Sequence, residues 1–218
     1  MRRKKCITSH RKKVYNNRQP QDAEKDPAAR RNRDSVLYSE NAKGACDMNI
    51  LMLTGSPRKT GNSAAMAKAF QTGAERAGHK VTVCPVGTMN IHGCLACEYC
   101  HTKGEGTCIQ KDDMQEIYPL LETADLIVFV SAVHYFGFTG QLQSAISRFY
   151  APHKPAAKKY AMLLSSGSPD VYGGLEQQYH NMLAFFGAED LGIRELHGEE
   201  NKTEAALAEI EAFGASVK

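Results

Sequence analysis

The sequence predicts an α/β domain of three layers, in which a doubly wound parallel sheet of five strands carries helices on both faces. Three observations lead there. Beyond residue 47, strand-like and helix-like segments alternate five times. The strand-like segments are short, nearly continuous apolar runs, as expected of strands buried on both faces. Most of the helix-like segments carry one apolar face at three-to-four spacing, and two of them stop at a glycine. Such alternation is solved by right-handed crossovers between parallel strands, and 218 residues suit one domain.

The first strand is "MNILMLTGS", from Met48. Ala65, Met66, Ala69, Phe70, Gly73, Ala74 and Ala77 then stripe a helix that stops at Gly78, and "KVTVCPV" is the second strand. Asp113 followed by Glu116 resembles a capping box opening a helix that runs to about Thr123. "DLIVFVSAV" is the third strand, followed by a helix after Gly140 striped by Leu142, Ala145, Ile146 and Phe149. "KYAMLLSS" is the fourth. Leu175, Tyr179, Met182, Leu183 and Phe186 stripe the next helix, which ends at Gly187; a weak strand, "LGIRELHG", and a helix from about Thr203 complete the chain.

Composition narrows the function classes. At 42% apolar and 23% charged, the chain is that of a soluble globular protein, and no apolar run approaches the roughly 18 residues of a membrane span. Residues 1–47 carry 13 Lys or Arg against 6 Asp or Glu, leaving 14 against 18 in the body. The body is mildly acidic, which argues against a nucleic-acid partner. Residues 1–47 have few large apolar residues and no periodicity, so a disordered basic extension is expected there, with 48–218 as the folded domain. No apolar core follows the basic start, so a secretory signal is not expected and the expected location is cytoplasmic.

In doubly wound sheets ligands collect at the carboxyl ends of the strands, so the expected site comprises "TGSPRKTGNS", "SAVHYFGFTG" and "SSGSPDVYGG", the loops after strands 1, 3 and 4. The first of these opens a helix, where backbone N–H groups and the helix dipole favour an anion. It lacks the G-K-[ST] ending of a triphosphate loop and the G-x-G-x-x-G of a dinucleotide fold. Its donors, Ser56, Thr60, Asn62 and Ser63 around Gly61, with Arg58 beside them, suit a terminal phosphate monoester held without metal. A mononucleotide follows.

"LTGSPRKTGNS" resembles the FMN-phosphate loop of the flavodoxin-like NAD(P)H-dependent FMN oxidoreductases, and the resemblance covers Met48 to the last helix. It implies strand order 2-1-3-4-5, FMN as cofactor, and a phosphate role for Ser56, Arg58, Asn62 and Ser63. "SAVHYF" matches that family's S-P-V-Y segment and an aromatic loop, with Ala132 for Pro and His134 for Tyr. Ser131, Ala132, Val133, His134, Tyr135 and Phe136 are therefore expected along the flavin, which needs flat apolar walls and backbone donors at its N1 and O2 edge. Ser166 and Gly167 in the glycine-rich fourth loop are expected to approach it too. "QLQSAISRF" departs from the family's Q-L-K-x-x-I-D-R-F at Gln143 and Ser147.

"HGCLACEYCHTKGEGTC" holds four of the chain's seven cysteines, at C-x2-C-x2-C-x7-C. With no secretory signal, a disulfide framework is not expected. The compact spacing suits an iron-sulfur centre, because two intervening residues let successive thiolates turn toward one point. The seven-residue last gap departs from the ferredoxin run. The segment is similar to the iron-sulfur flavoproteins, a branch of the same group, which implies Cys94, Cys97, Cys100 and Cys108 as ligands of a [4Fe-4S] cluster. Bare thiols and zinc remain open alternatives.

The expected activity is transfer of a hydride from NAD(P)H to FMN N5, and onward to a quinone, another small acceptor or an electron carrier. The alternative is an electron-transfer protein with FMN and a [4Fe-4S] cluster. No side-chain nucleophile or general base is required, and no Ser-His-Asp or paired-carboxylate arrangement is evident. The resemblance implies a homodimer or higher homo-oligomer.

Overall fold

A computed structural model describes residues 47–152 and 154–218. The expected basic extension lies, but for Asp47, outside the described residues. Five strands, β1 (Asn49–Thr54), β2 (Lys80–Cys84), β3 (Leu126–Ala132), β4 (Lys159–Ser166) and β5 (Glu189–His197), form one sheet in the order β2-β1-β3-β4-β5. Every neighbouring pair is parallel. This is the flavodoxin-like arrangement that the sequence resemblance implied.

Helices α1 (Asn62–Arg76), α4 (Gly140–Ser147), α5 (Gly173–Phe186) and α6 (Glu204–Ser216) follow β1, β3, β4 and β5, while two single turns, α2 (Tyr99–Thr102) and α3 (Tyr118–Leu121), lie between β2 and β3. Alternate strand residues point to opposite faces, and that splits the core. Ile50, Met52, Val128 and Val130 pack beneath α1 and α6. Leu51, Leu53, Ile127 and Phe129 pack beneath α4 and α5. Central β3 is buried from Leu126 to Ser131, as its uninterrupted apolar run requires.

The face carrying α1 and α6 depends on two glycines. A Cβ at Gly73 would lie 1.9 Å from the Glu211 carbonyl oxygen, and one at Gly214 would lie 2.3 Å from that of Phe70. The two backbones touch there, and Phe70 and Phe213 meet edge-on at 5.6 Å. Both helices begin at the carboxyl end of a strand, so their N-termini lie at the same end of the sheet as the loops.

Local expectations need correction in two places. The turn after Lys111 is capped by Asp112, whose side chain accepts from Met114 N, rather than by Asp113. The helix expected to run from Asp113 to about Thr123 is a 3-10 turn, Asp113–Glu116, followed by α3. Pro119 contributes no N–H to continue it.

Candidate functional site

The loops after β1, β3 and β4 line one cleft of about 790 Å³, and the loop between β5 and α6 joins them. The β1 loop is held rigidly from behind. Gly55 N donates to Val130 O at 2.8 Å, Thr139 Oγ1 donates to Gly55 O at 3.0 Å, and Gly61 N donates to Arg58 O at 3.2 Å. Gly87, in a 3-10 turn after β2, backs the same loop so closely that a Cβ there would lie 2.5 Å from Ser56 C and 2.6 Å from Gly55 O.

The N-terminus of α1 faces the cleft without a cap. Gly61 occupies the N-cap position and no side chain accepts from the first turn. In contrast, Thr139 caps α4 and Thr203 caps α6, each accepting from the backbone N–H three residues on. Helix N-termini leave their first N–H groups unsatisfied by the helix itself. Those of α1, with Ser56, Arg58, Asn62 and Ser63 around them, therefore form a donor array. Lys59 and Lys202 also line the cleft, and no Asp or Glu does among the described residues. Its field favours an anion.

The β3 loop differs from expectation. His134 and Gly137 exchange backbone hydrogen bonds of 2.9 and 3.0 Å, closing a two-residue hairpin. Tyr135 (φ 49°) and Phe136 (φ 62°) are both left-handed, the geometry of a tight turn usually given to Gly, Asn or Asp. Ala132, Val133 and His134 line the cleft, but Tyr135 is fully exposed, Phe136 is 63% exposed and neither lines it. The N–H groups of Val133 and His134 are spent on the Ser165 and Gly137 carbonyls. They are not the free donors expected for a flavin edge. Ser131 is buried and does not line the cleft: its Oγ donates to Ala132 O and accepts from Thr139 N, fastening the loop's ends.

Ser166 and Gly167 line the cleft as expected, and the buried Ser165 hydroxyl shares a 2.7 Å hydrogen bond with Ser63, joining the fourth loop to α1. Thr60 lines the cleft with the other first-loop donors, and sequence reasoning missed Asn201 and Lys202 altogether. Their only sequence signal was position, in the last strand-to-helix loop, and that loop was not expected at the site.

The cysteine segment forms a second cluster. Cys94, Cys97, Cys100 and Cys108 line one small pocket with Arg148 and Tyr150. Cys94 and Cys97 are exposed, Cys100 and Cys108 are buried, and none is in a disulfide. Burial pushes the Cys100 thiol up, and neighbouring Cys108, Cys94 and Glu98 add to that. Among the described residues, no three Cys, His, Asp or Glu side chains converge as a metal ion would require.

Beneath the thiols lies a buried ion pair. Arg148, 1% exposed, donates to both Asp112 oxygens at 2.7 and 3.3 Å, to His92 O at 2.9 Å and to Tyr118 Oη at 3.2 Å. Burial alone would raise the Asp112 carboxyl, but the Arg148 guanidinium and the His92 and Met114 N–H groups outweigh it and hold it below the usual range. Arg148 thereby fixes both ends of the segment, since His92 precedes Cys94 and Asp112 follows Cys108. Ser147 Oγ accepts from Cys94 N at 3.0 Å and completes the anchor.

Comparison with known proteins places this geometry in context. The sequence model of the family described as NADPH-dependent FMN reductase matches residues 48–196. An iron-sulfur flavoprotein of Archaeoglobus fulgidus is 35% identical over 130 residues, 59% of this chain and 56% of that one. One from Methanocaldococcus jannaschii is 38% identical over 101 residues, 46% of this chain and 50% of that one. The chain thus spans about half the length of these curated relatives. Among solved structures, an NAD(P)H:quinone oxidoreductase from Methanothermobacter marburgensis superposes with TM-score 0.65 at 19% identity, covering 79% of this chain and all of that one. An azoreductase from Bacillus anthracis gives 0.58 at 15%, covering 78% and all. At those identities the likeness is one of fold.

Proposed function

The chain belongs to the NADPH-dependent FMN reductase family, and on that premise we propose that its cleft holds FMN and that the protein is an NAD(P)H-dependent oxidoreductase. The observation that carries this reading is the uncapped α1 N-terminus, set in a cleft with Arg58, Lys59 and Lys202 and no carboxylate among the described lining residues. A phosphate monoester is dianionic and accepts several hydrogen bonds, which is what that array lacks. The cleft volume of about 790 Å³ lies within the range of cofactor sites.

In this reading Ser56, Asn62, Ser63 and the first N–H groups of α1 bind the phosphate, and Arg58 adds charge. Ala132, Val133 and His134 supply a wall for the ring, with Ser166 and Gly167 on the adjacent loop. When bound, FMN would supply the redox chemistry, hydride acceptance from a reduced nicotinamide and onward electron transfer. The protein's part is to hold and orient the reactants, and the further proton that a quinone, nitro or azo acceptor needs comes from solvent. Titrating apoprotein with FMN, then following NADH and NADPH oxidation with quinone, nitro and azo acceptors, tests it. Bound flavin with turnover supports the reading; no turnover with either nicotinamide overturns it.

A second reading adds a [4Fe-4S] cluster at Cys94, Cys97, Cys100 and Cys108. The four thiols fit in number and chemistry, they share one pocket, and the relatives named above are iron-sulfur flavoproteins. Their present positions do not converge, so the exposed Cys94–Cys97 turn must close on the buried pair for a cluster to form. Iron and acid-labile sulfide in anaerobically purified protein support this reading, and their absence overturns it.

A homodimer or higher homo-oligomer and a cytoplasmic location belong to the same proposal. Sedimentation of the flavin-loaded protein checks the first, and cell fractionation the second. No described helix is long and apolar enough to cross a membrane.

A further inference from the structure

The loop between β5 and α6 is tied to both of the loops it meets at the cleft. Asn201 Nδ2 donates to Ser166 O at 2.8 Å and to Gly198 O at 3.1 Å. Both amide hydrogens are spent on carbonyls, which fixes the orientation of the amide, since turned over its oxygen would face two other oxygens. Asn201 therefore holds this loop against the end of β4. The next residue, Lys202, has φ +67°, a left-handed backbone that a side chain rarely adopts and that persists where the surroundings over-determine it. From there its ammonium donates to Thr60 O at 2.6 Å, across 142 residues of sequence.

Packing explains that contact. Because α6 lies against α1 and both begin at the same end of the sheet, the residue two before Glu204 meets the residue two before Asn62. Lys202 is thus delivered beside the uncapped α1 N-terminus. Its partner there is a neutral carbonyl, which satisfies one of three N–H groups and leaves the charge uncompensated. No acidic residue lines the cleft to compensate it, among the described residues. An ammonium held by strained backbone at an anion site, and paired with nothing anionic among the described residues, is poised for an anion.

Resting on the reading that the cleft holds FMN, we propose that Lys202 is a phosphate-binding residue: its ammonium, supplied by the last loop, pairs with the 5'-phosphate seated on the α1 N-terminus. Asn201 acts as the positioning residue that keeps the loop in place. The competing role is a plain latch, in which Lys202 only fastens two loops together.

The test compares FMN with riboflavin, which shares the ring and ribityl chain but lacks the phosphate. Apoprotein of the full chain and of Lys202→Gln, Lys202→Asn and Lys202→Arg is titrated with each flavin by fluorescence quenching, at low and high salt. Asn tolerates left-handed backbone and guards against a folding failure. A charge-assisted hydrogen bond predicts about a tenfold loss of FMN affinity in the Gln and Asn variants, riboflavin affinity unchanged within about twofold, and recovery in the Arg variant. The FMN difference should shrink as salt rises. Equal losses for both flavins make Lys202 a latch and overturn the proposal, as does an unchanged FMN affinity. A raised KM for NADPH but not NADH, with FMN affinity intact, assigns the ammonium to the nicotinamide's phosphate and also overturns it. Failure of the unsubstituted chain to bind either flavin is a separate result, which removes the FMN reading and this proposal with it.

Discussion

At the cleft, the first N–H groups of α1 have no capping side chain and Lys202 has only a carbonyl for a partner, whereas beneath the cysteine segment Arg148 spends its donors on Asp112, His92 and Tyr118. Both regions hold positive groups outside the sheet, Lys202 in the loop before α6 and Arg148 in the 3-10 turn that follows α4. One array is held open by rigid backbone, and the other is closed upon itself. A buried polar group without a partner is costly, and a buried charge more so. The cleft donors escape that cost because Arg58, Lys59 and Lys202 are exposed and keep water for a partner, while a fully paired buried arginine marks an anchor whose product is the position of its neighbours. Here those neighbours are the four thiols.

The largest test of that contrast is Arg148→Met. It leaves Asp112, 4% exposed in its side chain, as an uncompensated buried charge, and the expected cost is about 3–5 kcal/mol in urea unfolding. The double variant Arg148→Met, Asp112→Asn should regain part of it. FMN affinity of the folded fraction should stay within about twofold, because the anchor touches no cleft residue. A parallel loss of flavin would break the comparison by coupling the regions.

Gly87→Ala strikes the other side. Its new methyl meets the backbone of Gly55 and Ser56, which cannot yield as a flexible side chain would. Overpacking of about 1–3 kcal/mol is expected, with the phosphate loop displaced and FMN affinity, read by fluorescence, falling at least tenfold. A smaller change, Ser63→Ala, leaves the Ser165 hydroxyl buried without its 2.7 Å partner and should cost about 1 kcal/mol in thermal or urea unfolding.

A pH-dependent test sharpens the contrast between paired and unpaired charge. Glu195 has a buried oxygen with no hydrogen-bond partner, and burial, then Glu176, push its carboxyl from 4.5 up to about 7. The folded state holds that proton more tightly than the unfolded one, so stability falls as pH rises between about 4.5 and about 7. Asp112 has the opposite sign: its lowered value stabilises the fold above the ordinary carboxylate range and is lost as pH falls below it. Thermal melts of Glu195→Gln should lose the slope between about pH 4.5 and about pH 7 while keeping the acid limb due to Asp112.

How much of this was legible depends on the length over which each signal repeats. The central strands and long helices announced themselves by sustained runs and stripes, and α5 ended at Gly187, φ +65°, as its glycine promised. The single turn α2 did not, because four residues carry no periodicity, and of the helix expected from Asp113 to about Thr123 only the single turn α3 is α-helical. In the cap after Lys111 the sequence pointed to Asp113, but that carboxylate accepts from Asn90 N, and the adjacent Asp112, paired with Arg148, takes the cap. At the cleft, the donors of the first loop could be read together because Ser56 to Ser63 span only one short stretch of sequence. For Ser131 the sequence could not show that its hydroxyl accepts from Thr139 N, a contact made across the loop.

The sequence by itself determined the strand and helix alternation, the anion-favouring first loop and the clustering of four thiols, since each rests on residues close together in the chain. Tertiary structure alone decided that Arg148 lies under those thiols, that Tyr135 and Phe136 turn away from the cleft, and that Lys202 reaches Thr60. The reason lies in the backbone. Strand order and helix packing are set by pairing between distant segments, and the close approach of α1 and α6 through Gly73 and Gly214 brings together two loops that neither could specify alone.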